Sequence, residues 1–259
     1  VEDASSLTLS DTGVISFADI DLIDVHTAQI TGQTGSLGGT LTLTAVDENS
    51  TSEGGSLGWT YNVDNSKVQY LAKGETAVET FTVTVSDGHG GSVNQLVTVT
   101  VTGVNDAVVI TAGTDATGAI LEADTAKLVD TGVITFTDTD VRDVHVTGIA
   151  SDESNTLGGT LVMGSVVEDA SSTQGSVGWT YEVDSSAVQY LAKDETATES
   201  FTVSLSDQQG STVEQVVSVT VTGTNDAPTI TSTTNAVGEI TEDQSKPMLV
   251  DTGVILRFG

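Results

Sequence analysis

The chain repeats its own sequence at a domain-length interval, and this feature constrains the fold more than any other. Gly58–Tyr61 returns as Gly178–Tyr181, and Val68–Ala72 returns as Val188–Ala192, so matching residues lie 120 positions apart. Repeats of solenoid and propeller proteins are only about 20 to 50 residues long, whereas an ordinary domain has about 100 to 150. The 259 residues therefore contain two domain-length copies and the start of a third.

The copies meet at a short acidic motif. Asn105-Asp106-Ala107 returns as Asn225-Asp226-Ala227, which places the boundaries between the repeats. We predict a first repeat over residues 1–106, a complete second repeat over residues 107–226 and the truncated start of a third over residues 227–259. Because the first repeat has no equivalent of residues 107–120, we expect it to lack its first strand.

Alternating apolar and polar residues predict β-strands in both copies. Phe81–Val85 and Val97–Val101 place aromatic or β-branched residues at every second position, and clusters of Gly, Asn, Asp and Ser separate such runs. In the complete repeat, seven strands are predicted, at residues 108–111, 128–137, 145–149, 160–165, 176–183, 199–206 and 212–222. Seven antiparallel strands per copy indicate an all-β fold of tandem immunoglobulin-like Greek-key β-sandwiches.

The charge of the chain excludes two classes of partner. Acidic residues outnumber basic ones by 37 to 7, which gives a formal net charge of −30. Nucleic acids and anionic membranes both require clustered Lys and Arg, so neither is expected to bind. No apolar run approaches the roughly 18 residues of a membrane span, so we expect no direct membrane insertion. The chain has no cysteine, so bound cations, and not disulfides, are the candidates for relieving the repulsion between carboxylates.

An acidic run follows the second predicted strand of the complete repeat. Asp138, Asp140 and Asp143 form an Asp-x-Asp-x-x-Asp pattern, and Asp19, Asp21 and Asp24 repeat it in the first copy. Alternating carboxylates on a short loop can direct several oxygens at one hard cation, and Ca²⁺ takes six to eight oxygen ligands. The run is not an EF-hand, because neither the central Gly nor the Glu at the twelfth position is present.

Strand direction predicts which acidic residues meet. Since antiparallel strands alternate in direction, the acidic run and the turn before the last strand lie at the end where the chain enters a repeat. The turns near the exit linker lie at the opposite end and therefore face the next repeat. At the first junction this predicts a calcium cluster of Glu2, Glu75, Asn105, Asp106, Asp138, Asp140, Asp143 and Asp207. The equivalent entry-end acids of the first copy are Asp19, Asp21, Asp24 and Asp87, and those at the second junction are Glu122, Glu195, Asn225 and Asp226. The third copy ends before its acidic run, so the second junction is expected to bind calcium weakly or not at all.

Several motifs together resemble a known family. Leu191–Glu195, Phe201–Val203, Ser206-Asp207 and Val219–Pro228 resemble the VCBS repeats of bacterial RTX-type adhesins, which are similar to cadherin domains in fold. The resemblance covers nearly the entire chain. It implies a secreted protein at the bacterial cell surface, exported by a type I system and stiffened by calcium between neighbouring repeats.

Other interpretations of the acidic and histidine residues stay open. A single Asp-Gly or Asn-Asp pair is most often a turn capped by its own side chain. Halophilic adaptation predicts carboxylates spread over exposed strand positions, and Glu79, Glu182, Glu199 and Glu214 fit that picture. His26 and His145 follow the acidic runs, and either they orient a carboxylate or they are partly buried strand residues, which is the interpretation we favour.

The sequence therefore predicts a calcium-rigidified extender segment of a bacterial cell-surface adhesin, which projects a distal binding domain for adhesion or biofilm formation. The alternative is a glycan- or surface-binding module of the adhesin. No enzymatic activity is expected, because no nucleophile–base pair recurs between the copies and no Gly-x-Ser-x-Gly elbow with a triad is present. Besides neighbouring repeats, one partner is conceivable: residues 227–259 of one molecule could supply the missing strand of another by head-to-tail exchange, with a disordered tail as the default.

Overall fold

The computed structural model describes residues 6–230, 235–242, 244–246 and 248–253, and its regular structure is almost entirely β-strand. The strands are β1 Thr8–Ala18, β2 Thr27–Thr34, β3 Thr40–Leu43, β4 Asp47–Glu48, β5 Gly54–Asp64, β6 Thr76–Ser86, β7 Ser92–Thr102, β8 Val109–Ile110, β9 Thr117–Leu121, β10 Lys127–Thr137, β11 Val146–Ser151, β12 Thr160–Val167, β13 Gln174–Asp184, β14 Thr196–Ser206 and β15 Thr212–Thr222. Two 3-10 turns, Asn65–Lys67 and Ser185–Ala187, are the helical segments of the described residues. Within that part of the chain no helix is long and apolar enough to cross a membrane.

The second repeat is a sandwich of two four-stranded sheets. One sheet has the order β12-β13-β10-β8 and the other has the order β11-β14-β15-β9. Ile134, Trp179, Phe201 and Val217, which come from both sheets, share one buried core. All pairs are antiparallel except β9, which runs parallel to β15. The strand order is that of an immunoglobulin-like Greek-key sandwich, so the predicted fold class is confirmed.

One strand of the second repeat was missing from the sequence prediction. All seven predicted segments overlap observed strands, but β9 is an eighth. It is short, and one of its two inward-facing residues is Gly118, which weakens the alternating apolar pattern. A Cβ at this position would lie 2.9 Å from the side chain of Val219, so the close approach of β9 to β15 requires glycine.

The first repeat has the same central strands but, among its described residues, fewer edge strands. Its sheets have the orders β1-β5-β3, with β4 also on β5, and β2-β6-β7. Tyr61, Phe81 and Val83 form its core together with the apolar residues of both sheets. Among the described residues, nothing pairs with the outer edge of β1 or of β7. The described residues that follow Thr222 contain no strand, and the repeat boundaries stay predictions.

Two glutamates lie in the sandwich cores, which corrects the prediction that they are dispersed over the surface. Glu79 and Glu199 are fully buried, whereas Glu182 is half-buried and Glu214 is exposed. The Glu199 carboxylate accepts hydrogen bonds from Tyr181 Oη at 2.8 Å, from Leu157 N at 2.7 Å and from Gly159 N at 2.9 Å. These donors compensate for burial of the charge and fix the loop before β12.

Candidate metal centre

Three predicted ligands meet at the entry end of the second repeat. Asp138 and Asp143 follow β10, and Asp207 lies in the turn between β14 and β15. One carboxylate oxygen from each residue lies within 4.8 Å of the others, and all three residues are buried. The alternation of strand direction therefore brings the acidic run and the last turn together, as expected from the topology.

The linker from the first repeat reaches the same cluster. The Asp106 backbone N–H donates to Asp140 Oδ2 at 2.8 Å, and Asn105 Nδ2 donates to Asp207 Oδ2 at 3.0 Å. Six of the eight residues predicted for the first junction thus lie in one site: Asn105, Asp106, Asp138, Asp140, Asp143 and Asp207. We call this set the junction cluster.

The other two predicted junction residues lie elsewhere. Glu75 forms an ion pair with Arg142, and its second oxygen accepts from Ala72 N at 3.3 Å. This pair also joins the two repeats, but Glu75 contacts the Arg142 side chain there, whereas it was predicted to be a calcium ligand. Glu2 lies outside the described residues.

Four side-chain oxygens of the junction cluster are buried without a hydrogen-bond partner among the described residues. They are Asn105 Oδ1, Asp106 Oδ2, Asp140 Oδ1 and Asp143 Oδ2. A buried polar atom without a partner costs about 1 to 3 kcal/mol, and more when it carries charge. Unpaired oxygens concentrated in one acidic site fit a hard divalent cation, which is bound by carboxylate and amide oxygens.

Three carboxylates of the junction cluster, those of Asp106, Asp140 and Asp143, lie in surroundings that disfavour negative charge. Burial raises the pKa of Asp140 to about 7, and the neighbouring Asp106, Asp143 and Asp138 add repulsion. Burial and nearby carboxylates also raise the pKa values of Asp106 and Asp143. The Asp207 pKa moves the other way: burial acts to raise it, but hydrogen bonds from Asn105 and backbone amides lower it below its usual value. A cation would therefore relieve the strongest repulsion around Asp140.

Each repeat also contains a histidine that bridges two carboxylates. His145 Nε2 lies 3.0 Å from Asp138 Oδ2, and its Nδ1 lies 2.7 Å from Glu168 Oε2. His26 has the same contacts with Asp19 and Glu48. Neither histidine lies in a strand, so the interpretation as a partly buried strand residue is wrong, and the alternative of a carboxylate-orienting residue agrees with the contacts. Sequence reasoning missed Glu48 and Glu168, although they recur at the repeat interval.

The equivalent acids of the first repeat also come together. Oxygens of Asp19, Asp24 and Asp87 lie within 4.8 Å of one another, but these residues are only half-buried. Asp21 donates its backbone N–H to Asp19 Oδ1 at 2.9 Å. Within the described ranges, no linker contacts this cluster in the way that Asn105 and Asp106 contact the junction cluster.

Among the described residues, the acids predicted for the second junction form no group of three carboxylates. Glu122 is buried, and its Oε2 accepts from Thr224 N at 2.7 Å while its Oε1 lacks a partner. Glu195 accepts from Ala192 N at 2.8 Å and is exposed. Asn225 and Asp226 are also exposed, so the described residues show no cluster comparable to the first junction.

No protein-family model matches the chain, and no curated protein matches it. Among solved structures, cadherin-like domains 1 to 4 of zebrafish RET match with 14% identity and a TM-score of 0.33, over 84% of this chain and 42% of that one. A variant of the CFA/I adhesin CfaE of enterotoxigenic E. coli matches with 11% identity and a TM-score of 0.40, over 87% and 82%. Human CDH23 EC21-23 matches with 16% identity and a TM-score of 0.35, over 92% and 71%.

The chain thus spans less than half of the RET structure. At TM-scores of 0.33 to 0.40 these similarities carry no argument about function. The strand order and the junction cluster of the chain itself define its class: the described residues form an all-β protein of two tandem sandwiches with an acidic cluster between them.

Proposed function

We propose that this chain is a calcium-stiffened extender segment of a secreted bacterial cell-surface adhesin. The observation that carries the proposal is the junction cluster, in which carboxylates of one repeat and linker residues of another share a buried site with unpartnered oxygens. A cation held there binds two repeats at once. It therefore opposes bending at the linker, which is the property that a projecting stalk needs.

Calcium would supply positive charge and several coordination positions for oxygen. Asp106, Asp140 and Asp143 offer unpartnered carboxylate oxygens, and Asn105 offers an amide oxygen. Asp138 is oriented by His145, and Asp207 is fixed by Asn105, so the carboxylates from the second repeat are positioned before an ion arrives. Extracellular calcium modules commonly bind with Kd values of about 10⁻⁴ to 10⁻³ M, which suits a protein that works outside the cell.

The finer assignment to VCBS repeats of RTX-type adhesins, with type I export and a role in biofilm formation, rests on the sequence motifs. Val219–Pro228 contains the pair Asn225-Asp226, and the counterpart of this pair, Asn105-Asp106, reaches the junction cluster. The motif residues thus coincide with the structural feature on which the proposed stiffening depends. This agreement supports the assignment and also supports a location at the bacterial surface.

The proposal is tested by adding and removing calcium. We expect calcium to raise Tm and to lengthen the maximum dimension measured by small-angle X-ray scattering, and a chelator to reverse both changes. Replacing Asp140 and Asp143 together by Asn is expected to abolish the change in maximum dimension. The matched control replaces Asp21 and Asp24, which occupy the equivalent positions in the first repeat. This control removes the same amount of charge but leaves the junction cluster intact. Calcium is therefore still expected to lengthen its maximum dimension. An unchanged Tm and maximum dimension on removing calcium would refute the proposal.

A further inference from the structure

One asparagine motif of the first repeat is explained neither by the fold nor by the junction cluster. Asn49-Ser50-Thr51 has the pattern Asn-x-Ser/Thr with no proline at x, and the pattern occurs once in the chain. It is the acceptor pattern for N-linked sugars, which are attached in surface loops of secreted proteins. A three-residue pattern makes a site only where the asparagine side chain is accessible and the fold does not use its nitrogen.

The loop between β4 and β5 presents this motif to solvent. Asn49 is the first residue after β4, and Asn49–Thr51 are all exposed. Glu48 holds the end of the strand, since its carboxylate accepts from His26 N at 2.9 Å and lies 2.7 Å from His26 Nδ1. The motif therefore begins where the chain leaves the sheet, and a sugar attached there has room in solvent.

The Asn49 side chain uses only its oxygen. Asn49 Oδ1 accepts from Thr51 N at 3.0 Å and from Thr51 Oγ1 at 2.7 Å, which closes a turn. Among the described residues, no group accepts a hydrogen bond from Asn49 Nδ2. Asn155, in contrast, donates from Nδ2 to Ser200 O at 2.8 Å and accepts from Ser200 N at 2.8 Å. A bond formed at Asn49 Nδ2 would therefore break no hydrogen bond of the described structure.

The second repeat shows that the turn itself does not require asparagine. Asp169-Ala170-Ser171 occupies the equivalent positions. Asp169 Oδ1 accepts from Ser171 N at 2.8 Å and from Ser171 Oγ at 2.6 Å, so a carboxylate closes the same turn. The turn therefore gives the nitrogen of Asn49 no structural role.

We infer that Asn49 is an acceptor site for an N-linked sugar. The new bond joins Nδ2 to the anomeric carbon of a sugar that carries a phosphate leaving group. The bond from that carbon to the phosphate oxygen breaks, the phosphate keeps the electron pair, and Nδ2 releases one proton. The donor is an activated sugar, either a nucleotide sugar in the cytoplasm or an oligosaccharide linked to polyprenyl pyrophosphate at the membrane. Neither donor needs the junction cluster, so failure of the proposed stiffening by calcium leaves this site unaffected.

The site is tested by offering the purified chain each class of donor. One reaction contains UDP-glucose and a soluble asparagine glucosyltransferase, and the other contains a lipid-linked oligosaccharide and a bacterial oligosaccharyltransferase. An acceptor peptide in the same tube is the positive control. We expect intact-mass spectrometry to show one added sugar chain in at least one reaction, and peptide mapping to place it at Asn49. Asn49→Asp should abolish the addition and keep the turn, as Asp169 does.

Variants of Thr51 separate the acceptor motif from the turn. Thr51→Ala removes the hydroxyl, and we expect transfer to slow by at least about 100-fold, because an enzyme site that binds a hydroxyl rejects an acceptor without one. Thr51→Ser should keep transfer, since Ser171 makes the same contacts in the second repeat.

The second repeat distinguishes the two donors. Asp169→Asn completes an Asn-Ala-Ser motif in the equivalent turn. Bacterial oligosaccharyltransferases also require an acidic residue two positions before the asparagine, where Asn49 has Asp47 and position 169 has Val167. We therefore expect a second sugar from UDP-glucose but none from the lipid-linked donor. An unmodified Asn49 in both reactions while the peptide is glycosylated, or equal modification of the wild type and Asn49→Asp, overturns the inference.

Discussion

Asp140 combines nearly complete burial with a full set of acidic neighbours. It is 1% exposed, and Asp106, Asp138 and Asp143 all act on its charge. Its pKa of about 7 lies above the ordinary value of 3.8, so the folded protein without calcium binds a proton more tightly than the unfolded chain does. The stability that this carboxyl contributes is therefore complete below about pH 3.8 and is lost as the pH rises toward 7.

This shift predicts opposite pH dependences with and without calcium. Between about pH 5 and pH 7.5, we expect Tm to fall in chelator and the increase in Tm caused by calcium to grow, because calcium binds the ionised carboxylate. The raised pKa values of His26 and His145, which burial lowers but their carboxylate partners raise, act in the same direction in chelator. Thermal unfolding of Asp140→Asn separates the contributions. In chelator, the Tm of the variant should fall less with rising pH than the wild-type Tm does. In calcium, the variant should lack most of the increase in Tm. An increase in wild-type Tm over this range in chelator would contradict the account.

The buried glutamates give a second prediction for single residues. Replacing Glu199 by Ala leaves Tyr181 Oη and the amides of Leu157 and Gly159 without their acceptor, so we expect a loss of about 3 kcal/mol in the free energy of unfolding. Glu182 is the matched control, since it forms an exposed ion pair with Lys127 at 2.6 Å. Its replacement by Ala should cost less than about 1 kcal/mol in a urea titration. Similar losses for the two variants would rule out the structural role of Glu199.

Individual strands could be predicted from the sequence wherever alternation was strong. The run from Glu79 to Val85 faces the core at every second position, so the burial of Glu79 also follows from its place in that alternation. Its acidic side chain suggested a surface position instead. The groups that donate hydrogen bonds to the buried carboxylate, the Tyr61 hydroxyl and two loop amides, come from distant elements and could not be foreseen. The short strand β9 was missed for a related reason, since its Gly118 is explained only by contact with Val219.

The missing edge partners of β7 predict a difference in hydrogen exchange between equivalent strands. Backbone amides of β15 that face β9 are covered, whereas the corresponding amides of β7 face the open edge. We expect the outward amides among Thr98–Val101 to exchange much faster than those among Ser218–Val221 in a dilute, monomeric sample. Equal protection of the two strands in dilute solution would contradict the described edges.

For the whole molecule, the alternating direction of the antiparallel strands determined which acidic residues were predicted to meet. It grouped the run after β10 with the turn before β15 and with the linker Asn105-Asp106, and in the structure these residues contact one another at one end of the second sandwich. It could not predict the pairing of Glu75 with Arg142, since two surface side chains from different repeats meet only through the relative position of the sandwiches. The calcium occupancy of the junction cluster stays a proposal.

The central claim is that calcium fixes the orientation of the two sandwiches, and the distance between them tests it most directly. Spin labels are attached to cysteines replacing Thr42 and Val162, which are exposed and occupy equivalent positions on β3 and β12. Pulsed electron spin resonance then measures the distribution of distances between the labels. A narrow distribution in calcium that broadens in chelator, and that stays broad in Asp140→Asn with calcium, is the result we predict. Distributions of equal width with and without calcium would contradict the account.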